Sequence, residues 1–183
     1  MAGVEMIGLL CAGCMNYHAQ VRGTANAGMT KADLAGLLSG LTPIQMHLAL
    51  AKYGLDIDSE RYLIAHTQVY AADLVNRFGW KIVKRRPTVS NMSALACFEI
   101  IRPNVCSRCR GNGTIARRVC TKCDGGCFGK LSGRVIAEAI GVDQANWSRV
   151  WSTRYEMIYS FVQRIESEMI YTLKSADREL YFA

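Results

Sequence analysis

The sequence predicts an all-α protein interrupted by one short cysteine-rich insert. Three observations carry that expectation. Apolar residues recur at three- and four-residue steps through most of the chain, helix-start and helix-stop residues bracket those runs, and no stretch alternates with period two long enough for a sheet. Half of the 183 residues are apolar and one fifth are charged, which suits one compact domain or two small ones.

Residues 1–29 are rich in Ala, Gly and Met, with weak periodicity, and are expected to form a loosely ordered or partly helical leader. Helical signals begin at Lys31, and Leu34, Leu37, Leu38 and Leu41 trace a buried helical face. Thr42-Pro43-Ile44-Gln45 then opens a new helix: Thr can cap it, Pro suits its first turn, and Gln stands at the capping-box return position. That helix runs through Met46, Leu48, Leu50 and Ala51 to about Gly54. Asp58 is expected to cap a third helix carrying Tyr62, Leu63, His66, Val69, Tyr70, Leu74 and Val75, which stops near Gly79. Lys81 to Arg86 is a basic connector, and Pro87 blocks a helix there. A fourth helix spans residues 90–101 and ends before Pro103.

After the insert, a short helix from about Ser132 to Ile140 ends at Gly141, and a long one follows from about Gln144 to Leu173. Its positions Trp147, Val150, Trp151, Ile158, Val162, Ile165 and Met169 keep to helical steps. At about 1.5 Å per residue it would span roughly 45 Å, long enough for one end to project or meet a partner.

The insert holds the clearest motif. Cys106-Ser-Arg-Cys109 and Cys120-Thr-Lys-Cys123 are two C-x-x-C turns separated by ten residues. Each turn lets two thiolates face one ion, and two turns complete the tetrahedron of a structural zinc site with no open position. Gly111, Gly113, Gly125 and Gly126 permit turns that aim backbone amides at sulfur. Cys127 is an alternative ligand. Cys11 and Cys14, with His18 nearby, form a third C-x-x-C in an apolar run where buried thiols are ordinary, and Cys97 belongs to a helix core. Eight cysteines in a chain whose N-terminal residues carry Glu5 instead of a basic n-region fit metal binding better than a secreted disulfide framework.

Net charge is +7, and its placement is uneven. Residues 106–134 carry seven Lys and Arg (Arg108, Arg110, Arg117, Arg118, Lys122, Lys130, Arg134) against Asp124 alone, whereas residues 135–183 carry five against seven acids. Focused positive charge fits a polyanion, with double-stranded DNA first, although basic clusters also serve as solubilising loops. Next to it, Arg134 to Arg154 fits a helix-turn-helix. Ala137 is the small residue where two helices touch, Gly141 the turn, and Ile136, Ile140, Val142, Trp147 and Val150 the packing positions. Asp143 caps the second helix, whose outward residues include Gln144, Ala145, Asn146, Ser148 and Arg149. Gln and Asn can pair with adenine and Arg with guanine. The candidate DNA contacts are therefore Arg117, Arg118, Lys130, Arg134, Gln144, Asn146, Ser148 and Arg149. An ordinary helical hairpin is the plainer alternative. A weaker match at Leu34 to Ala49 offers only Gln45 and His47 and is read as core.

The resulting expectation is a helical domain with a zinc-binding insert preceding a helix-turn-helix and a long C-terminal helix. Its parts are a leader (1–30), an N-terminal helical region (31–104), the zinc-binding basic insert (105–130), and the helix-turn-helix with the long C-terminal helix (131–183). No membrane span, phosphate-cradling glycine loop, catalytic histidine cluster or thioredoxin-like context is visible. The expectation is thus a soluble, intracellular non-enzyme without a small-molecule substrate.

Cys106-Ser-Arg-Cys109-Arg-Gly-Asn-Gly113, Cys120-Thr-Lys-Cys123 and the helix Asn146-Trp147-Ser148-Arg149, in that order, resemble the lambda-type phage late-gene antitermination (Q) proteins. Asp33 to Tyr53 and Tyr62 to Ala72 are similar to that family's N-terminal helical region, so the resemblance covers most of 33–175. The cysteine motif alone is shared with the Hsp40 cysteine-rich domain, but no His-Pro-Asp motif and no four-repeat array accompany it. The resemblance implies a protein of the bacterial host cytoplasm that binds a late-promoter DNA element and engages RNA polymerase paused with its sigma factor. It would then carry the enzyme through pauses and terminators. It also implies Cys106, Cys109, Cys120 and Cys123 as zinc ligands and Arg134 to Arg149 as the DNA-reading segment. The inter-pair loop is shorter than the family's, the last glycine of the second motif is Cys127, and the recognition face differs.

Overall fold

The computed structural model describes residues 36, 38–82, 88–129 and 131–182, with side chains to residue 175. The leader, Cys11, Cys14, His18, Leu34, Leu37, the connector residues Lys84 to Pro87 and Lys130 lie outside the described residues. The fold is helical, as expected. Its elements are α1 (Pro43–Tyr53), α2 (Ile57–Phe78), α3 (Thr88–Ile101), strands β1 (Thr114–Ile115) and β2 (Arg118–Val119), α4 (Gly133–Ile140), α5 (Gln144–Asn146), a π-turn (Trp147–Trp151) and α6 (Ser152–Phe182). None of these helices is long and apolar enough to cross a membrane.

The local signals account for most boundaries. Thr42 precedes Pro43 in the first turn of α1, and the Gln45 side chain accepts the Thr42 N–H at 3.1 Å. The start of α2 differs from expectation. Asp56 is the capping carboxylate, accepting the Ser59 N–H at 2.9 Å, while Asp58 sits inside the first turn and pairs with Arg61. An acidic residue two places earlier reaches the free amides that Asp58, already helical, cannot. Gly79 ends α2 with φ of 59°. The buried stripe of α2 is Leu63, Thr67, Ala71 and Leu74, and Val69 faces solvent.

The chain forms two compact units, Met1–Leu63 with Arg164–Ala183, and Ile64–Gln163. In the first, Leu41, Leu48, Ala49, Ala51, Leu63, Ile165, Met169 and Leu173 are buried. Lys52 on α1 pairs with Glu166 on α6, both largely shielded. Burial, reinforced by Glu166, pushes the Tyr53 phenol up to about 12. His47 stacks on Tyr62 and meets the Ser59 hydroxyl at 3.0 Å, so it is a satisfied packing residue.

In the second unit, Cys97 is core, as expected, and donates to the buried Thr67 hydroxyl. Gln68 reaches Ser90 at 2.7 Å, and Asn91 reaches the Ala139 carbonyl at 3.4 Å, tying α3 to its neighbours α2 and α4. Glu99 accepts the Leu131 N–H and the Tyr155 hydroxyl. One carboxylate thus joins α3, the exit from the cysteine-rich insert and the start of α6.

Candidate metal centre and helical hairpin

Cys106, Cys109 and Cys120 are buried, Cys123 is half-buried, and their four sulfurs lie within 4.8 Å of one another. The Cys106–Cys120 and Cys109–Cys123 separations are 4.0 and 3.6 Å. A tetrahedral ion bonded to sulfur at about 2.3 Å would set its ligands about 3.8 Å apart. The cluster fits one metal ion, and the sulfurs form no disulfide.

The backbone makes this arrangement twice. A shift of 14 residues maps Cys106 onto Cys120 and Cys109 onto Cys123, and the surrounding bonds follow the same shift. Cys106 N–H donates to the Cys127 carbonyl, and Cys120 N–H to the Gly113 carbonyl, both at 2.9 Å. Asn112 N–H reaches the Cys109 carbonyl as Gly126 N–H reaches that of Cys123. The bridge Val105–Phe128 repeats the pairing Val119–Thr114. Arg108 donates to the Thr121 hydroxyl at 2.6 Å, and Lys122 to the Ser107 hydroxyl at 2.7 Å. Backbone torsions match too: φ is 50° and 47° at Arg110 and Asp124, 86° and 81° at Gly111 and Gly125, and 68° and 67° at Gly113 and Cys127. The module is a pair of interlocked knuckles related by a pseudo-two-fold axis. The repeat Val-Cys-x-x-Cys-x-Gly is legible in the sequence, although its reciprocal pairing is not.

The knuckle geometry aims amides at sulfur. The N–H groups of Cys109 and Arg108 lower the Cys106 thiol to about 6, and those of Lys122 and Cys123 lower Cys120. In the same cluster, burial and then the neighbouring thiols push Cys123 up to about 12. Backbone amides thus favour the thiolate at Cys106 and Cys120, while burial and crowding oppose it at Cys123, a conflict that a bound cation relieves. Cys127 takes the place that Gly113 holds in the first knuckle, with its Sγ turned to the Gly125 carbonyl. It is not one of the four clustered sulfurs.

Between the knuckles, β1 and β2 form a hairpin with a two-residue loop, Ala116-Arg117, at φ of 48° and 66°. This small sheet was not expected from the sequence; two-residue strands are too short to show alternation. It places Arg117 and Arg118 at an exposed tip.

The helical hairpin follows directly. Ser132 caps α4 by accepting the Val135 N–H, and Gly141, at φ of 75°, closes it as Val142 N–H returns to the Ala137 carbonyl at 2.9 Å. Asp143 then caps α5, accepting the Asn146 N–H, which holds its carboxyl below the usual range. Ile136, Ala137, Ile140 and Trp147 are buried as expected. Gly133 lies under the Trp147 indole, where a Cβ would meet Nε1 at 2.6 Å. Two expectations are corrected. The long helix is not regular from Gln144 onward, since Trp147–Trp151 winds as a π-turn. Val150 is consequently exposed, because the wider turn keeps Trp147, Trp151 and Tyr155 in line and rotates the third residue after Trp147 off the packing face. Tyr155, buried on that face, was missed because its hydroxyl hides it among polar residues.

Arg134, Gln144, Asn146, Ser148 and Arg149 are all exposed. Asn146 bonds the Asp143 carboxylate, Ser148 the Gln144 carbonyl, and Arg149 Nε the Ala145 carbonyl at 3.3 Å. Two of the four side chains on this helix face thus fold back on their own backbone, and a third, Asn146, is held by the capping carboxylate. No protein-family model, curated protein or solved structure matches the chain.

Proposed function

We propose that the protein is a DNA-binding transcription factor with one structural zinc ion, acting as an antitermination factor on bacterial RNA polymerase with its sigma factor. A closed set of four thiolates held by backbone amides favours zinc over a catalytic metal, because no coordination position is left for a substrate. The observation that carries DNA binding is the exposed row Gln144, Asn146, Ser148 and Arg149 at the start of a capped helix. That helix follows a basic metal module after one short helix.

On this reading the helix enters the major groove after Asp143, and Arg117, Arg118, Lys130 and Arg134 contact phosphates. Phosphate contacts supply most of the affinity and make it salt-dependent. The return bonds of Asn146, Ser148 and Arg149 are exchanged for base and phosphate partners on docking. Action on polymerase, and a place in the cytoplasm of a phage-infected bacterium, rest on the resemblance to the Q proteins. No residue is assigned a catalytic role.

Transcription in vitro past a terminator, with and without the zinc-loaded protein, tests the reading. Read-through that requires a promoter-proximal DNA site supports it. Promoter-dependent changes in initiation with unaltered termination would replace it with a zinc-containing regulator that does not travel with polymerase. Suppressed aggregation of unfolded proteins without DNA affinity would favour the Hsp40-like alternative. Arg149→Ala is expected to weaken a cognate element by roughly 1–3 kcal/mol while leaving random DNA nearly unaffected.

A further inference from the structure

Arg154 lies on α6, just past the π-turn, with its guanidinium over two indoles. It is 4.6 Å from the Trp151 ring centre and 5.1 Å from that of Trp80. Trp80 is buried, while Trp151 and Arg154 are half-buried. Among the described residues no carboxylate pairs with Arg154. A guanidinium stacked on aromatic faces keeps its five N–H donors at its edge, in the plane that suits two-pronged binding of an anion. Burial alone depresses its basicity, with no acid offsetting the loss of water. Packing two tryptophans would not call for a charge there; an uncharged side chain of similar length would avoid the desolvation.

The surroundings point to the sign and class of the missing partner. Lys81 directly follows Trp80 and is exposed. Arg149 stands five residues before Arg154 on the same run of helical chain. From Asn146 to Arg154 is eight residues, or about 12 Å along a helix axis. That exceeds the roughly 8.5 Å depth of the major groove. For a helix that enters the groove end-on, with its first turn at the base edges, that distance carries position 154 out to the level of the phosphates.

We propose that Arg154, clamped between Trp80 and Trp151, is a phosphate-binding arginine that takes a phosphodiester group at the rim of the groove entered by Gln144 to Arg149. This rests on the DNA-binding reading above and adds a positioning contact outside the residues from which that reading was built. The indoles fix the guanidinium in advance, so little side-chain freedom is lost on binding. The contact also sets how far the helix can slide along the groove.

The test is binding of the full-length, zinc-loaded protein to a short duplex of random sequence over a range of salt concentrations. Phosphate contacts do not depend on sequence, so no cognate element is needed. Arg154→Gln is expected to lower the slope of log K against log salt by about 0.9, one phosphate's worth, with a several-fold loss of affinity. Arg154→Lys keeps the charge and the stem but not the planar edge. It is expected to keep the wild-type slope and bind more weakly, which separates loss of contact from loss of fold if the Gln variant melts early.

An unchanged slope in Arg154→Gln, with wild-type binding intact, overturns this inference and leaves the DNA reading standing. So does a Lys variant that binds as tightly as wild type. Loss of binding to polyglutamate by Arg154→Gln, with an unchanged duplex slope, also overturns it and makes the partner a carboxylate on an acidic protein. No wild-type binding to duplex even at low salt overturns the DNA reading and this inference together.

Discussion

Residues 105–129 bury three cysteine side chains and pack little else around them, whereas the next segment, 131–163, buries Ile136, Ala137, Ile140, Trp147, Tyr155, Ile158 and Val162. The first region also exposes Val105, Ile115, Val119 and Phe128, which a self-sufficient core would have gathered inside. Neighbouring stretches of one chain are thus stabilised by different means. In the knuckles, backbone hydrogen bonds and a cysteine cluster that fits a metal ion replace apolar burial, as expected for a unit too small to build a core. In the helical hairpin, interlocking side chains suffice. The metal region should therefore be lost as a unit when its ion is removed, while the hairpin answers to packing.

The largest expected effect comes from removing the ion. Chelation should sharply speed tryptic cleavage within residues 106–129, most of all at Arg108, Arg110 and Lys122, which the knuckle turns hold outside the exposed hairpin tip. The helical circular-dichroism signal should change little, since the knuckles contain no helix. A collapse of that signal would mean that the two regions are not separable. Next comes Gly133→Ala, which drives a methyl group against the Trp147 indole. A helix start would ordinarily gain from alanine, but overpacking of this kind costs about 1–3 kcal/mol. Urea unfolding should report a net loss, with metal content unchanged.

A smaller effect is expected at the join between the regions. Tyr155→Phe removes the hydroxyl that Glu99 accepts, at a cost of about 1–2 kcal/mol. Burial first, then Glu99, pushes the Tyr155 phenol well above the ordinary tyrosine range. Its raised folded value means that this contribution is fully present below about pH 10 and is lost as pH rises further. Unfolding measured from neutral to alkaline pH should therefore show a stability loss above about pH 10 in wild type that is diminished in the Phe variant. The smallest change is a gain. Cys127→Gly places glycine where φ is 67° and should stabilise the knuckles by about 0.5–1 kcal/mol, visible as slower metal release to a chelator.

The two regions also differed in how far they could be read from sequence. The four clustered cysteines and the Asp143 cap were legible because spacing and residue type alone define them. The pseudo-two-fold pairing of Arg108 with Thr121 and Lys122 with Ser107 was not, since it depends on how the knuckles face each other in space. Asp58 was read as a cap, and Asp56 fits the same pattern, so only the backbone decides. Val150 was placed in the packing face by a regular helical period that the π-turn breaks. The Arg154 clamp was hidden because Trp80 lies on a distant part of the chain.

Native mass spectrometry of the intact protein and of single Cys→Ser variants tests the central claim most directly. One zinc ion is expected in the wild type and in Cys127→Ser, and none in the variants at Cys106, Cys109, Cys120 or Cys123. Retention of the ion by any of those four variants, its loss from Cys127→Ser, or a second ion in the wild type would contradict the account.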